Sequence, residues 1–233
     1  MFNEIDILTD VTIRIAVENL LSENTDLIEQ TIHRYGSIQN WDVSNVTNMN
    51  RIFKDATSFN EPLGNWNVSR VTSMKEMFCN ACKFNKPLNS WDVSKVKDME
   101  GMFYGAENFN QHLNNWDVRN VRNMSDMFCE TPFDQPLNNW NVSNVRNMNS
   151  MFAETITFNK PINTWNVSNV TNMGHTFFQA ECFNQPLNNW NISNVQNMNS
   201  MFYNALSFNR QFISNWDISN DTDTAGMFAE TNN

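Results

Sequence analysis

Tryptophan recurs on a single schedule in this chain: Trp41, Trp66, Trp91, Trp116, Trp140, Trp165, Trp190 and Trp216, in steps of 25, 25, 25, 24, 25, 25 and 26 residues. A period this regular, between 20 and 50 residues, requires each unit to bury its apolar face against the next copy of itself instead of against one irregular core. Counting each Trp as position 1, the consensus is W-[DN]-[VI]-S-x-V-x-x-M-x-x-M-F-x-x-A-x-x-F-N-x-P-L-x-N. Thirteen of the 14 Met and fifteen of the 18 Phe fall on its Met and Phe positions. The large side chains therefore keep a packing schedule and do not gather into a site.

Two spacings operate inside each unit. In Met99-x-x-Met102-Phe103-x-x-Ala106 the apolar residues stand at i, i+3, i+4 and i+7, which predicts a short helix, with Ser94 and its equivalents as candidate caps. Leu88-x-x-Trp91-x-Val93 predicts a short parallel strand with Leu, Trp and Val pointing inward. Pro62, Pro87, Pro136, Pro161 and Pro186 precede that Leu, a position needing no ladder donor. The expectation is an α/β solenoid: a leucine-rich-repeat-like right-handed superhelix of about eight 25-residue coils with short parallel strands and short helices. With strands about 4.8 Å apart, eight coils make a rod roughly 40 Å long.

The ends differ from the repeats. Residues 9–22 and 24–35 read as two amphipathic helices, with Thr9 or Asp10 and Asn24 as candidate caps and Gly36 as a stop. They define an N-terminal helical cap over residues 1–40, preceding a solenoid over 41–231 that forms one cooperative unit. In the last repeat Asp221 replaces the inward Val and Thr224 the first Met, the polar rung expected of a C-terminal cap.

The run Trp41-Asp42-Val43-Ser44-Asn45-Val46-Thr47-Asn48-Met49, with its M-F-x-x-A and F-N-x-P-L partners, resembles the BspA-like leucine-rich repeat surface proteins. More narrowly it resembles the mycoplasma-lipoprotein-type 25-residue repeat, over residues 41–230. Ala16-Val17 and Tyr35-Gly36-x-Ile38-x-x-Trp41 are similar to the segment that precedes such arrays, with Leu20 where a Trp is common. The resemblance implies binding, as adhesion, host contact or scaffolding, without catalysis. Many members are exported, and similar arrays in large DNA viruses make a virion or host-cell location the alternative.

Charge and chemistry narrow the function. The chain carries 25 Asp+Glu against 15 Lys+Arg, which argues against nucleic-acid and membrane-surface binding. Seven acids (Glu4, Asp6, Asp10, Glu18, Glu23, Asp26, Glu29) stand against Arg14 and Arg34 within the first 40 residues. The acidic opening lacks a basic n-region, and there is no lipoprotein cysteine or long apolar run, so the expected location is cytoplasmic. Cys79-x-x-Cys82 has no second pair at metal spacing, and Cys79 and Cys129 stand two repeats apart. His33, His112 and His175 share no repeat position, and Asp alternates with Asn at position 2, which undermines acid–base work. We expect no enzyme, no cofactor and no metal. Asparagine, at 43 residues, is heavily over-used.

What remains is surface. Positions 4, 5 and 7, usually Ser, Asn and Thr, become Arg70, Lys95, Lys97, Arg119, Arg122 and Arg146 in repeats two to five. Neighbouring repeats would gather them into a basic stripe on an acidic protein, read either as a docking site for an acidic protein partner or as a solvated turn. The expected state is a monomer or a weak, salt-sensitive homo-oligomer in which the acidic cap meets another copy's stripe. The leading function is a non-catalytic scaffold for protein–protein interaction. The alternative is a carbohydrate- or cell-surface-binding adhesin or virion surface component, which outward-facing Trp rings would favour.

Overall fold

A computed structural model describes residues 7–231. Glu4, Asp6 and the start of the opening segment lie outside the described residues. Two helices lead in: α1 (Thr12–Leu21) and α2 (Thr25–Tyr35). Asn24 caps α2, its side chain accepting from the Asp26 and Leu27 amides at 3.0 and 3.3 Å, and Gly36 ends it at φ 72°. At α1 the Thr12 amide donates to Thr9 Oγ1, whereas Asp10 points elsewhere, with consequences described below.

From Trp41 onward the repeats stack in chain order, each forming one rung. The amides at positions 9, 11, 13 and 15 donate to the carbonyls at positions 8, 10, 12 and 14 of the next rung. In the first rung these are Met49, Arg51, Phe53 and Asp55 onto Ser73, Lys75, Met77 and Cys79, at 2.8–3.0 Å. This row of four bonds recurs unbroken to rung 8, reached from Met198, Ser200, Phe202 and Asn204. One parallel bridge marks each step, from Asn48↔Ser73 through Asn197↔Asp223.

The helix expected over Met-x-x-Met-Phe-x-x-Ala is not formed, and the reason is conformational. Positions 11 and 15 are left-handed in every rung, as at Arg51 (φ 61°) and Asp55 (φ 60°), Gly101 (φ 56°) and Gly105 (φ 63°), and Ser150 (φ 53°) and Glu154 (φ 57°). A left-handed residue at every fourth place breaks the i→i−4 ladder. The amides not used between rungs close tight turns instead, such as Lys54 to Arg51 and Ala56 to Phe53. A non-glycine residue pays about 1–2 kcal/mol to sit there, and 13 of them do. The strain is held by the row of bonds on both sides.

Nor does the Leu-x-x-Trp-x-Val segment form a strand. Trp66 donates its amide to Leu63 and Val71 to Val68, so the backbone closes on itself in two turns. Ser94 caps no helix: it lies in the second of these turns, and its amide donates to Asp92 Oδ1. The row of four bonds between rungs thus lies in the segment expected to be helical.

Side chains complete the stack. Trp41 through Trp190 are buried and Trp216 half-buried. From Trp66 on, each indole N–H reaches back about one rung to a main-chain carbonyl, as from Trp91 to Leu63 at 2.9 Å and Trp116 to Leu88 at 2.9 Å. Phe53, Phe78, Phe103, Phe128, Phe152 and Phe177 are fully buried and stack face to face at 5.4–5.9 Å. Each also lies against the second Phe of its own rung, Phe103 on Phe109 at 3.8 Å. Burying one such ring is worth about 2–3 kcal/mol.

The asparagines satisfy amides that the turns leave over. At position 20 each carboxamide oxygen accepts the next rung's amide: Asn60 from Asn85, Asn85 from Asn110, Asn159 from Asn184. Asp134 does the same for Asn159. At position 2 Asp42, Asn67 and Asp92 each accept from the amide two residues on, so carboxylate and amide are interchangeable there.

Candidate functional site

The six basic residues predicted as a stripe are all exposed, and they divide into three groups. Position 7 carries the best-ordered one. The Lys97 amide donates to Thr72, Arg122 to Lys97 and Arg146 to Arg122, at 2.8–2.9 Å, so Lys97, Arg122 and Arg146 stand on three consecutive rungs in one column. Their side chains leave that column about 4.8 Å apart, and none makes an ion pair among the described residues. Arg70 and Lys95, at position 5, form a second column. Arg70 donates to Asn45 Oδ1 at 3.0 Å, and Lys95 helps hold the nearby Asp92 carboxyl low, after the two Ser94 hydrogen bonds. Arg119 is drawn away: its Nε donates to Asp117 Oδ1 of its own rung at 2.8 Å.

Some other charges of the array are paired. Glu76 accepts from Arg51 at 2.9 Å and from Lys54, a contact joining rungs 1 and 2, and Lys75 meets Glu100 at 2.8 Å. The Arg51 and then the Lys54 hydrogen bonds pull the Glu76 carboxyl down to about 2. What sets Lys97, Arg122 and Arg146 apart is that they stand in one column on consecutive rungs with no ion pair among the described residues.

A second charged feature went unread in the sequence. The step of 24 between Trp116 and Trp140 marks a residue missing beside Pro132. Beside it lies a hollow of about 460 Å³, lined by Thr131, Pro132 and Ile156 together with Glu107, Glu130, Glu154 and Glu181. Ile156 is 53 % exposed. Glu130 and Glu154 occupy the left-handed position 15 of rungs 4 and 5, where the backbone presents them outward.

Neither feature is equipped for covalent chemistry. Cys79, Cys82, Cys129 and Cys182 are free thiols, and burial pushes the Cys79 and Cys129 thiols up, away from the reactive thiolate. No cluster of three or more metal-ligating side chains exists among the described residues, and no helix among them is long and apolar enough to cross a membrane. The Trp rings, buried in the stack, form no outward stripe.

One unit repeated eight times, with its distinguishing groups on the surface, defines a repeat protein. The family model described as "Mycoplasma protein of unknown function, DUF285" matches residues 20–134 and 129–233, and the chain belongs to that family. No curated protein and no solved structure matches it.

Proposed function

We propose that the chain is a leucine-rich-repeat-type solenoid of the BspA-like kind, acting as a non-catalytic scaffold that docks an acidic protein partner on the column Lys97–Arg122–Arg146. The column carries the reading: three exposed, unpaired cations at the pitch of the stack, on a chain of net charge −10. Long-range attraction of this kind steers association and selects partners by charge. The buried Trp ladder favours protein docking over sugar stacking, since it leaves no aromatic platform outside. Arg119 is peripheral to the column because Asp117 neutralises it.

The test is capture from cell lysate by the wild type and by the triple variant K97E/R122E/R146E, after both are shown to melt alike. Loss of an identified acidic protein with the variant supports the proposal. Identical captures by both proteins sink it.

A further inference from the structure

The basic column and the acidic hollow occupy the same rungs. Arg122 and Glu130 belong to rung 4, Arg146 and Glu154 to rung 5, and eight residues separate each pair along its rung. They edge the turn segment of positions 9–15, which carries the row of backbone bonds between rungs. On rungs 4 and 5 that segment presents few protruding side chains: Ser125 and Ala153 are buried, and Asp126, Asn149 and Ser150 half-buried. On rungs 2 and 3 the same segment holds the Lys75–Glu100 pair, and on rung 3 Tyr104, which donates to Glu130. A flat strip with a positive edge and a negative edge is self-complementary.

We propose that this face docks a second copy of the chain across a two-fold axis parallel to the stack. The proposal rests on the docking role assigned above to the basic column and names its acidic partner as another molecule of the same protein. Rotation about such an axis exchanges left and right edges while leaving every rung at its own height. Arg122 and Arg146 of one copy then face Glu130 and Glu154 of the other, and symmetry repeats the contact. Both rows carry the pitch of the stack, so one pair in register places the next pair in register. Ile156, exposed in the same hollow, meets the aliphatic stems of the arginines. The acidic cap helices are not needed for this contact.

The contact is exposed and ionic, so it weakens as salt shortens the screening length from about 10 Å at 0.1 M to about 3 Å at 1 M. Sedimentation velocity on the full chain tests it with two charge reversals, R122E/R146E and E130K/E154K. Wild type is expected to dimerise at low salt and to dissociate at high salt. Each variant alone should lose at least tenfold in dimer constant, and an equimolar mixture of the two should recover a heterodimer, because both edges are again complementary. A wild type that stays monomeric at low salt, variants that dimerise like wild type, or a mixture that fails to associate would each overturn the proposal. The two readings separate cleanly: a monomeric wild type whose capture of an acidic protein is lost in R122E/R146E removes the self-docking inference and leaves the scaffold reading standing.

Discussion

The two ends of the stack solve one problem in opposite ways. An interior rung receives four amides from the rung before it and offers four to the rung after. Rung 1 has no preceding rung, and two side chains take its place, Arg14 of α1 and Asp10 just before it. Arg14 donates to the Asn50 carbonyl at 2.6 Å and the Asn48 carbonyl at 3.4 Å, the acceptors that amides at positions 11 and 9 fill elsewhere. Asp10 accepts from the Thr47 and Asn48 amides at 2.6 and 3.0 Å and from the Thr47 hydroxyl at 2.7 Å, replacing the position 7 carbonyl of a preceding rung. Burial pushes the Asp10 carboxyl up, but the Thr47 and Asn48 bonds and Arg14 outweigh it and hold it below the ordinary range. At rung 8 the amides of Thr224, Gly226, Phe228 and Glu230 have no backbone acceptor among the described residues. There the stack ends in polarity, with Asp221 and Thr224 exposed and Phe228 only half-buried beneath Arg210. One end is built as a mimic of a rung and the other as a weakened rung.

That contrast is easiest to break in the core. Phe53→Ala in rung 1 empties a fully buried site between Phe59, Trp66 and Phe78 and is expected to cost about 3–5 kcal/mol. Phe228→Ala in rung 8 should cost about half as much, and equal losses in urea titrations would show that rung 8 is as well packed as rung 1. Next comes the polar mimicry. Asp10→Ala leaves the Thr47 and Asn48 amides without their acceptor and should cost about 2 kcal/mol, with hydrogen exchange quickening at rung 1 while rungs 4 to 6 keep their protection.

A smaller effect concerns the ion pairs, which link rungs 1 and 2 but, among the described residues, join no atoms of rungs 7 and 8. Glu76 is depressed from 4.5 to about 2 in the folded chain, so its stabilisation is present above about pH 4.5 and is lost as pH falls toward about 2. Glu76→Gln should flatten that part of the stability–pH curve, and an unchanged curve would remove the pair from the account. The smallest change is expected at the far end. Thr224→Met restores the consensus at a place that no further rung covers among the described residues and should gain under about 1 kcal/mol. A larger gain in melting would mean that rung 8 is covered after all.

Much of this was legible in the residues. The Trp period set the number of rungs, and the positions of Met, Phe, Val and Leu named the core, because a side chain that recurs at one place in every unit must pack against its own copies. Asn24 and Gly36 announced the ends of α2 through cap chemistry that is local to the chain. The basic residues were visible, yet their partition was not. Arg119 and Arg122 look equivalent in sequence, but one folds onto Asp117 of its own rung and the other joins a column. The acidic hollow was signalled only by a step of 24 in place of 25.

By itself, then, the sequence determined the repeat, its register and which side chains are buried. Only the tertiary structure decided the backbone path. Apolar residues at i, i+3, i+4 and i+7 fit a helix, and they fit equally a run of turns with a left-handed residue at every fourth place. The second path is strained for an isolated segment. It prevails because it turns alternate amides toward the neighbouring rung, where four bonds per rung outweigh the strain at Arg51, Asp55 and their counterparts. The role of Asp10 was hidden for the same reason. Its partners lie 37 and 38 residues away and come within reach only after the first rung has formed.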